Sequence, residues 1–125
     1  MNHPIHTENA PAAIGPYSQA VQAGNLLFVS GQLPIDPATG AFAGEDIATQ
    51  TRQALTNIRS ILEAAGYTCA DVVKTTVLLA NIEDFAAMNA VYAEFFTENC
   101  PARAAYAVKD IPKGALVEIE VVACK

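Results

Sequence analysis

Positions 47, 51, 54, 55, 58, 61, 62 and 65 carry Ile, Thr, Ala, Leu, Ile, Ile, Leu and Ala. That three-four spacing puts all eight on one face of an α-helix, with Asp46 or Glu45 at its start and Gly66 as its stop. A helix with one apolar face needs an apolar surface to bury, so the rest of the chain must provide one.

Strands provide it. Leu26, Leu27, Phe28 and Val29 form an apolar run between Ala23-Gly24-Asn25 and Gly31, which predicts a buried strand with residues 18–22 as its hairpin partner. Asp36-Pro37-Ala38-Thr39-Gly40 has turn chemistry and predicts loop up to Asp46. Val72 to Leu79 is β-branched and aliphatic without helical period and predicts a central strand. Asn81, with Asp84 three residues on, predicts the N-cap of a second helix whose Phe85, Met88, Tyr92, Phe95 and Phe96 share a face. Strands over 104–108 and 116–123 follow, joined across residues 110–114. With 125 residues, 52% of them hydrophobic, the chain is expected to form one α+β domain over residues 1–125: a sheet with two helices packed on one face.

The net charge of −6 disfavours a phosphate backbone, so nucleic acid is not an expected partner. No stretch is long and apolar enough to span a bilayer, and the first residues lack a secretory apolar run, which predicts a soluble cytoplasmic protein. Cys69, Cys100 and Cys124 have no metal-ligand spacing, and His3 and His6 lie near a terminus expected to be poorly ordered; neither disulfides nor zinc are expected.

The last strand carries the first functional signal. Val117, Ile119, Val121 and Ala123 alternate with Leu116, Glu118, Glu120 and Val122. The second set puts two carboxylates, about 7 Å apart by strand geometry, on an otherwise aliphatic face. It is either a cleft or subunit interface, with one carboxylate poised as an acid or base, or an edge strand protected by charge. Arg103 stands just after Cys100-Pro101-Ala102 at a strand entry. It either grips a ligand carboxylate bidentately or forms a salt bridge to one of these glutamates.

Three blocks then align with a known pattern: Ala10-Pro11-Ala12-Ala13-Ile14-Gly15-Pro16-Tyr17-Ser18-Gln19-Ala20; Val29-Ser30-Gly31-Gln32-Leu33-Pro34; and Pro101-Ala102-Arg103 with Val117-Glu118-Ile119-Glu120-Val121-Val122-Ala123. In this order they resemble the RidA (YjgF) family of reactive-intermediate deaminases, nearly end to end. The resemblance implies a chorismate-mutase-like fold, a homotrimeric barrel of three sheets and ligand clefts between subunits. It further implies hydrolysis of 2-iminopropanoate and 2-iminobutanoate to 2-keto acids and ammonia without metal or organic cofactor. Arg103 would bind the substrate carboxylate and Glu118 would handle the attacking water, while Tyr17, Ser30, Gly31 and Asn89 line or shape the pocket.

The chain departs from the family at Ala105, where a cysteine is common. Alanine keeps the backbone N–H expected to serve the ligand, but removes any thiol switch. Each lining residue also has a structural reading: ring packing for Tyr17, turn chemistry for Ser30, and a structural hydrogen bond for Asn89. The rival functions are a keto-acid sensor using the same cleft, a ribonuclease or translation inhibitor with a basic patch at Lys109 and Lys113, and, last, a chorismate mutase, for which a second well-placed arginine is missing.

Overall fold

The computed structural model describes residues 1–125. The long amphipathic helix, α1 (Ile47–Ala64), begins where Asp46 accepts a hydrogen bond from the Thr49 backbone N–H and ends before Gly66, whose φ of 82° an L-residue rarely adopts. Its apolar stripe is buried, with Ala54, Leu55, Ile58, Ile61 and Leu62 at 1% exposure or less.

The surface that receives it is one six-stranded sheet: β1 (His3–Ile5), β2 (Ala20–Ala23), β3 (Leu26–Gln32), β4 (Val72–Leu79), β5 (Ala102–Ala107) and β6 (Val117–Cys124), in the order β1-β2-β3-β6-β4-β5. All pairs are antiparallel except β4 with β5. The second helix, α2 (Phe85–Phe95), shares a single core cluster with α1 and the inward residues of β3, β4 and β6. The expected α+β arrangement, a mixed sheet with two helices on one face, is therefore present.

Three local expectations are corrected. The N-terminal residues form a strand, with His3 to Ile5 paired to β2; nothing in so short a segment signals pairing before its partner is in place. Asn81 precedes a single 3-10 turn (Ile82–Asp84), and neither it nor Asp84 caps α2 with its side chain. The run Leu26 to Val29 is only half buried: Leu27 and Val29 face the core, while Leu26 and Phe28 are 37% and 47% exposed on the face the helices leave open. Tyr106 of β5, three strands across the sheet, is exposed on the same open face, as its register with Leu78 and Glu118 requires.

Candidate active site

Strand β6 alternates as expected: Val117, Ile119, Val121 and Ala123 are buried under the helices, and Glu118, Glu120 and Val122 point to the open face. Its pairing with β3 slips between Val29 and Gln32, where three steps along β3 match two along β6. Such a bulge bends the strand and releases residues from the ladder, and Ser30 and Gly31 occupy it. The Glu118 carboxylate lies over Gly31, in the space a Cβ there would need; a side chain at residue 31 would collide with Oε2. Glycine thus leaves room for the acid in this position, and a larger residue would push the carboxylate aside.

Around this contact is an open cavity of about 650 Å³, lined by Tyr17, Gln19, Ser30, Gly31, Lys113, Glu118 and Glu120 among others. Burial, aided by the like charge of Glu120, raises the Glu118 carboxyl above its ordinary value of 4.5. Tyr17 does not bury its ring; it is 52% exposed, and its hydroxyl accepts a hydrogen bond from Ile14 N–H at 3.4 Å. The Ser30 hydroxyl donates to the Ser18 carbonyl at 2.6 Å, so this side chain both lines the cavity and ties β3 to the segment before β2. Buried Gln19 clamps that segment further, accepting from Thr7 N–H and donating to the carbonyls of Thr7 and Pro11.

Arg103 is elsewhere. On β5 it is in register with Thr75 of β4, which is in register with Val121 of β6; both neighbours face the core, so Arg103 projects toward the helix side. Glu118 is in register with Leu78 and projects to the opposite face. With two strand spacings across and three residues along, the two Cα atoms are about 14 Å apart. The salt bridge considered between Arg103 and Glu118 or Glu120 does not form; the chain's one ion pair joins Arg52 to Glu94 at 2.9 Å.

Instead, Arg103 Nη1 donates to Asn89 Oδ1 at 2.7 Å, and its guanidinium lies 5.4 Å from the Phe85 ring centroid and 4.7 Å from that of Tyr92. Asn89 is exposed rather than on the buried stripe of α2, yet the partner a polar residue there calls for is present. Ala105 shares the strand and face of Arg103 and packs against the core. The sequence-derived residues therefore fall into two groups: Tyr17, Ser30, Gly31 and Glu118 on one side of the sheet, and Arg103, Asn89 and Ala105 on the other.

Sequence reasoning placed Phe85 and Tyr92 only in the core and did not connect them to Arg103. The signal was their i and i+7 spacing about Asn89 at i+4, one stripe of α2. Lys113, named in the sequence only in connection with the rival nuclease reading, has a φ of 62° beside Gly114 and lines the cavity that holds Glu118. Cys69, in contrast, sits by a separate cleft of about 200 Å³, and burial pushes its thiol up, away from reactivity.

Residues 7–125 match the family described as Endoribonuclease L-PSP. A RutC family protein of Pyrococcus horikoshii is 58% identical over all of this chain and 99% of its own length. The 2-iminobutanoate/2-iminopropanoate deaminase of Salmonella typhimurium is 50% identical over all of this chain and 99% of its own. Among solved structures, the YjgF gene product of E. coli superposes with a TM-score of 0.95 at 48% identity, and E. coli TdcF with bound serine with 0.95 at 40%, each covering 98% of both chains. The chain belongs to the Endoribonuclease L-PSP family and, within it, to the RidA (YjgF) proteins that its three sequence blocks resemble.

Proposed function

We propose that this protein hydrolyses 2-imino acids to 2-keto acids and ammonia in the cytoplasm, with 2-iminopropanoate and 2-iminobutanoate as substrates, at sites shared between copies in a homotrimer. The observation that carries the reading is a paired one. A partly desolvated carboxylate lies in an open cavity, and an arginine without any carboxylate partner projects from the other face of the same sheet. Within one copy they are too far apart to hold one small substrate. Two copies related by rotation bring the Glu118 face of one against the Arg103 edge of the next, and exposed Leu26, Phe28 and Tyr106 give the open face an apolar surface to bury there.

In that arrangement, Arg103 binds the substrate carboxylate and fixes the angle at which water meets the C=N carbon. The imine reacts in its protonated form: Glu118 takes a proton from the attacking water as its oxygen bonds to that carbon, and the C=N π pair moves onto nitrogen to give a neutral carbinolamine. The carbinolamine then collapses: Glu118 gives that proton to the departing nitrogen as the C–N bond breaks, and the hydroxyl proton passes to the freed Glu118 carboxylate, and on to solvent, as C=O forms. Imine and water become keto acid and ammonia, with no change of oxidation state and no step that needs a metal or organic cofactor. Tyr17, Ser30 and Gly31 shape the wall on the Glu118 side, and Asn89 and Ala105 belong to the Arg103 side.

The names of relatives at about 50% identity support this activity, and the serine in the TdcF structure is an amino acid of the same carbon skeleton as 2-iminopropanoate. No helix is long and apolar enough to cross a membrane. The test is ammonia and pyruvate release from 2-iminopropanoate generated in situ by an amino-acid oxidase. Acceleration by wild type that is lost in Arg103→Ala supports the reading. An inert wild type that still binds pyruvate through Arg103 makes the protein a keto-acid sensor instead, and RNA cleavage that survives both Arg103→Ala and Glu118→Gln points to a nuclease.

A further inference from the structure

The Arg103 guanidinium is held without being neutralised. One amide oxygen and two aromatic faces hold it, and no carboxylate comes within ion-pair distance. Aromatic faces attract a cation through their quadrupole, yet leave its charge available for an anion on the other side. The Tyr92 ring is itself 6% exposed and packs against Phe96 with centroids 4.7 Å apart. Its hydroxyl is 2.8 Å from Thr75 Oγ1, and Thr75 has no exposed surface. Two hydroxyls in an otherwise apolar layer are costly unless they satisfy each other, and Thr75 stands on β4 directly beside Arg103 on β5.

We infer that the Thr75–Tyr92 hydroxyl pair is a positioning device for Arg103, fixing the ring on which the guanidinium rests and so the direction in which it presents its N–H groups to a carboxylate. Neither residue touches substrate. The backbone of β4 and β5 sets where Thr75 and Arg103 start; the hydroxyl bond sets where the Tyr92 ring lies between them. Burial keeps the Tyr92 phenol above its ordinary pKa, so the bond stays neutral over the working range. This inference rests on the reading of Arg103 as the carboxylate anchor.

The experiment compares Thr75→Val, Tyr92→Phe and Tyr92→Leu in wild-type and Arg103→Ala backgrounds, measuring pyruvate Kd, KM and kcat for 2-iminopropanoate, and thermal midpoint. Tyr92→Leu is expected to weaken pyruvate binding and raise KM about tenfold, with kcat within about twofold of wild type. Thr75→Val and Tyr92→Phe keep the core filled and act in the same direction, about threefold. In the Arg103→Ala background none of the three has a further effect on binding, the mark of a shared pathway. A merely structural role would lower the thermal midpoint and scale kcat through the active fraction, leaving Kd unmoved. Equal losses in both backgrounds, or an unchanged Kd in Tyr92→Leu, overturn the inference.

A readout that needs no substrate separates it from the function. The Arg103 Nε–Hε resonance, assigned by its loss in Arg103→Lys, should be sharp and ring-shifted in wild type and drift to the free-arginine position in Thr75→Val. If Arg103→Ala leaves pyruvate binding intact, the deaminase reading falls, while this resonance still decides the positioning: its movement in Thr75→Val supports it, and an unmoved resonance refutes it.

Discussion

Glu118 and Arg103 are held by opposite physical means. The glutamate is placed by exclusion: a bulge in β3, a missing Cβ at Gly31, partial burial and a like charge at Glu120 all make its ionised form less comfortable. The arginine is placed by attraction, stacked on Phe85 and Tyr92 and bonded to Asn89, its charge left unspent. A group that must exchange protons gains from a raised pKa, whereas one that must stay charged gains from neutral partners. The difference teaches that the two sides of the sheet hold their charged groups by different means, one suited to proton exchange and the other to a lasting charge, as the proposed division of labour requires.

The largest expected effect tests the division of labour. Glu118→Gln should lower kcat by about 10²–10⁴-fold while leaving pyruvate binding near wild type; a comparable loss of binding would make Glu118 a ligand rather than a base. The same variant carries a stability sign. The folded state holds the Glu118 proton more tightly than the unfolded chain does, so stability falls as pH rises from the unfolded value near 4.5 through the higher folded value. Glu118→Gln should therefore melt higher than wild type at neutral pH and lose that advantage below the unfolded value, as differential scanning calorimetry at several pH values would show.

Next is complementation. Refolding equal amounts of Arg103→Ala and Glu118→Gln chains together should restore about one quarter of wild-type activity, since random assembly pairs an intact glutamate with an intact arginine at one interface in four. Mixed chains as inactive as their parents would break the shared-site arrangement. A smaller loss, about tenfold in kcat, is expected for Gly31→Ala, because the methyl displaces the carboxylate from its position for attack. A crystal structure of that variant with Glu118 unmoved would refute it. Last, Glu120→Gln removes one of the two causes that raise Glu118, so the acid limb of the kcat profile should move to lower pH with little change on its plateau. An unmoved limb would assign it to another group.

Much of the fold is legible in local pattern. The stripe from Ile47 to Ala65 and the alternation from Val117 to Ala123 predict which side chains become buried, because helix and strand periods fix facing residue by residue. Where only a partner supplies the information, the sequence is silent. His3 to Ile5 become a strand only because β2 offers an edge, and Leu26 and Phe28 look like core until the sheet leaves one face uncovered.

The site divides along the same line. Glu118, Gly31 and Arg103 are readable as candidates from residue type, strand parity and resemblance. The separation of Glu118 from Arg103 is not, because parity within a strand says nothing about register between strands, and it is register with Val121 and with Leu78 that sends the two to opposite faces. The linkage of Thr75 to Tyr92 is equally hidden, joining positions 17 residues apart through a contact that exists only once α2 lies on the sheet. By itself the sequence determined the elements and the inventory of chemical groups, since local periodicity and side-chain chemistry are properties of the chain. Which groups meet was decided by tertiary structure alone, because pairing register and helix docking are set by burying all the apolar stripes at once.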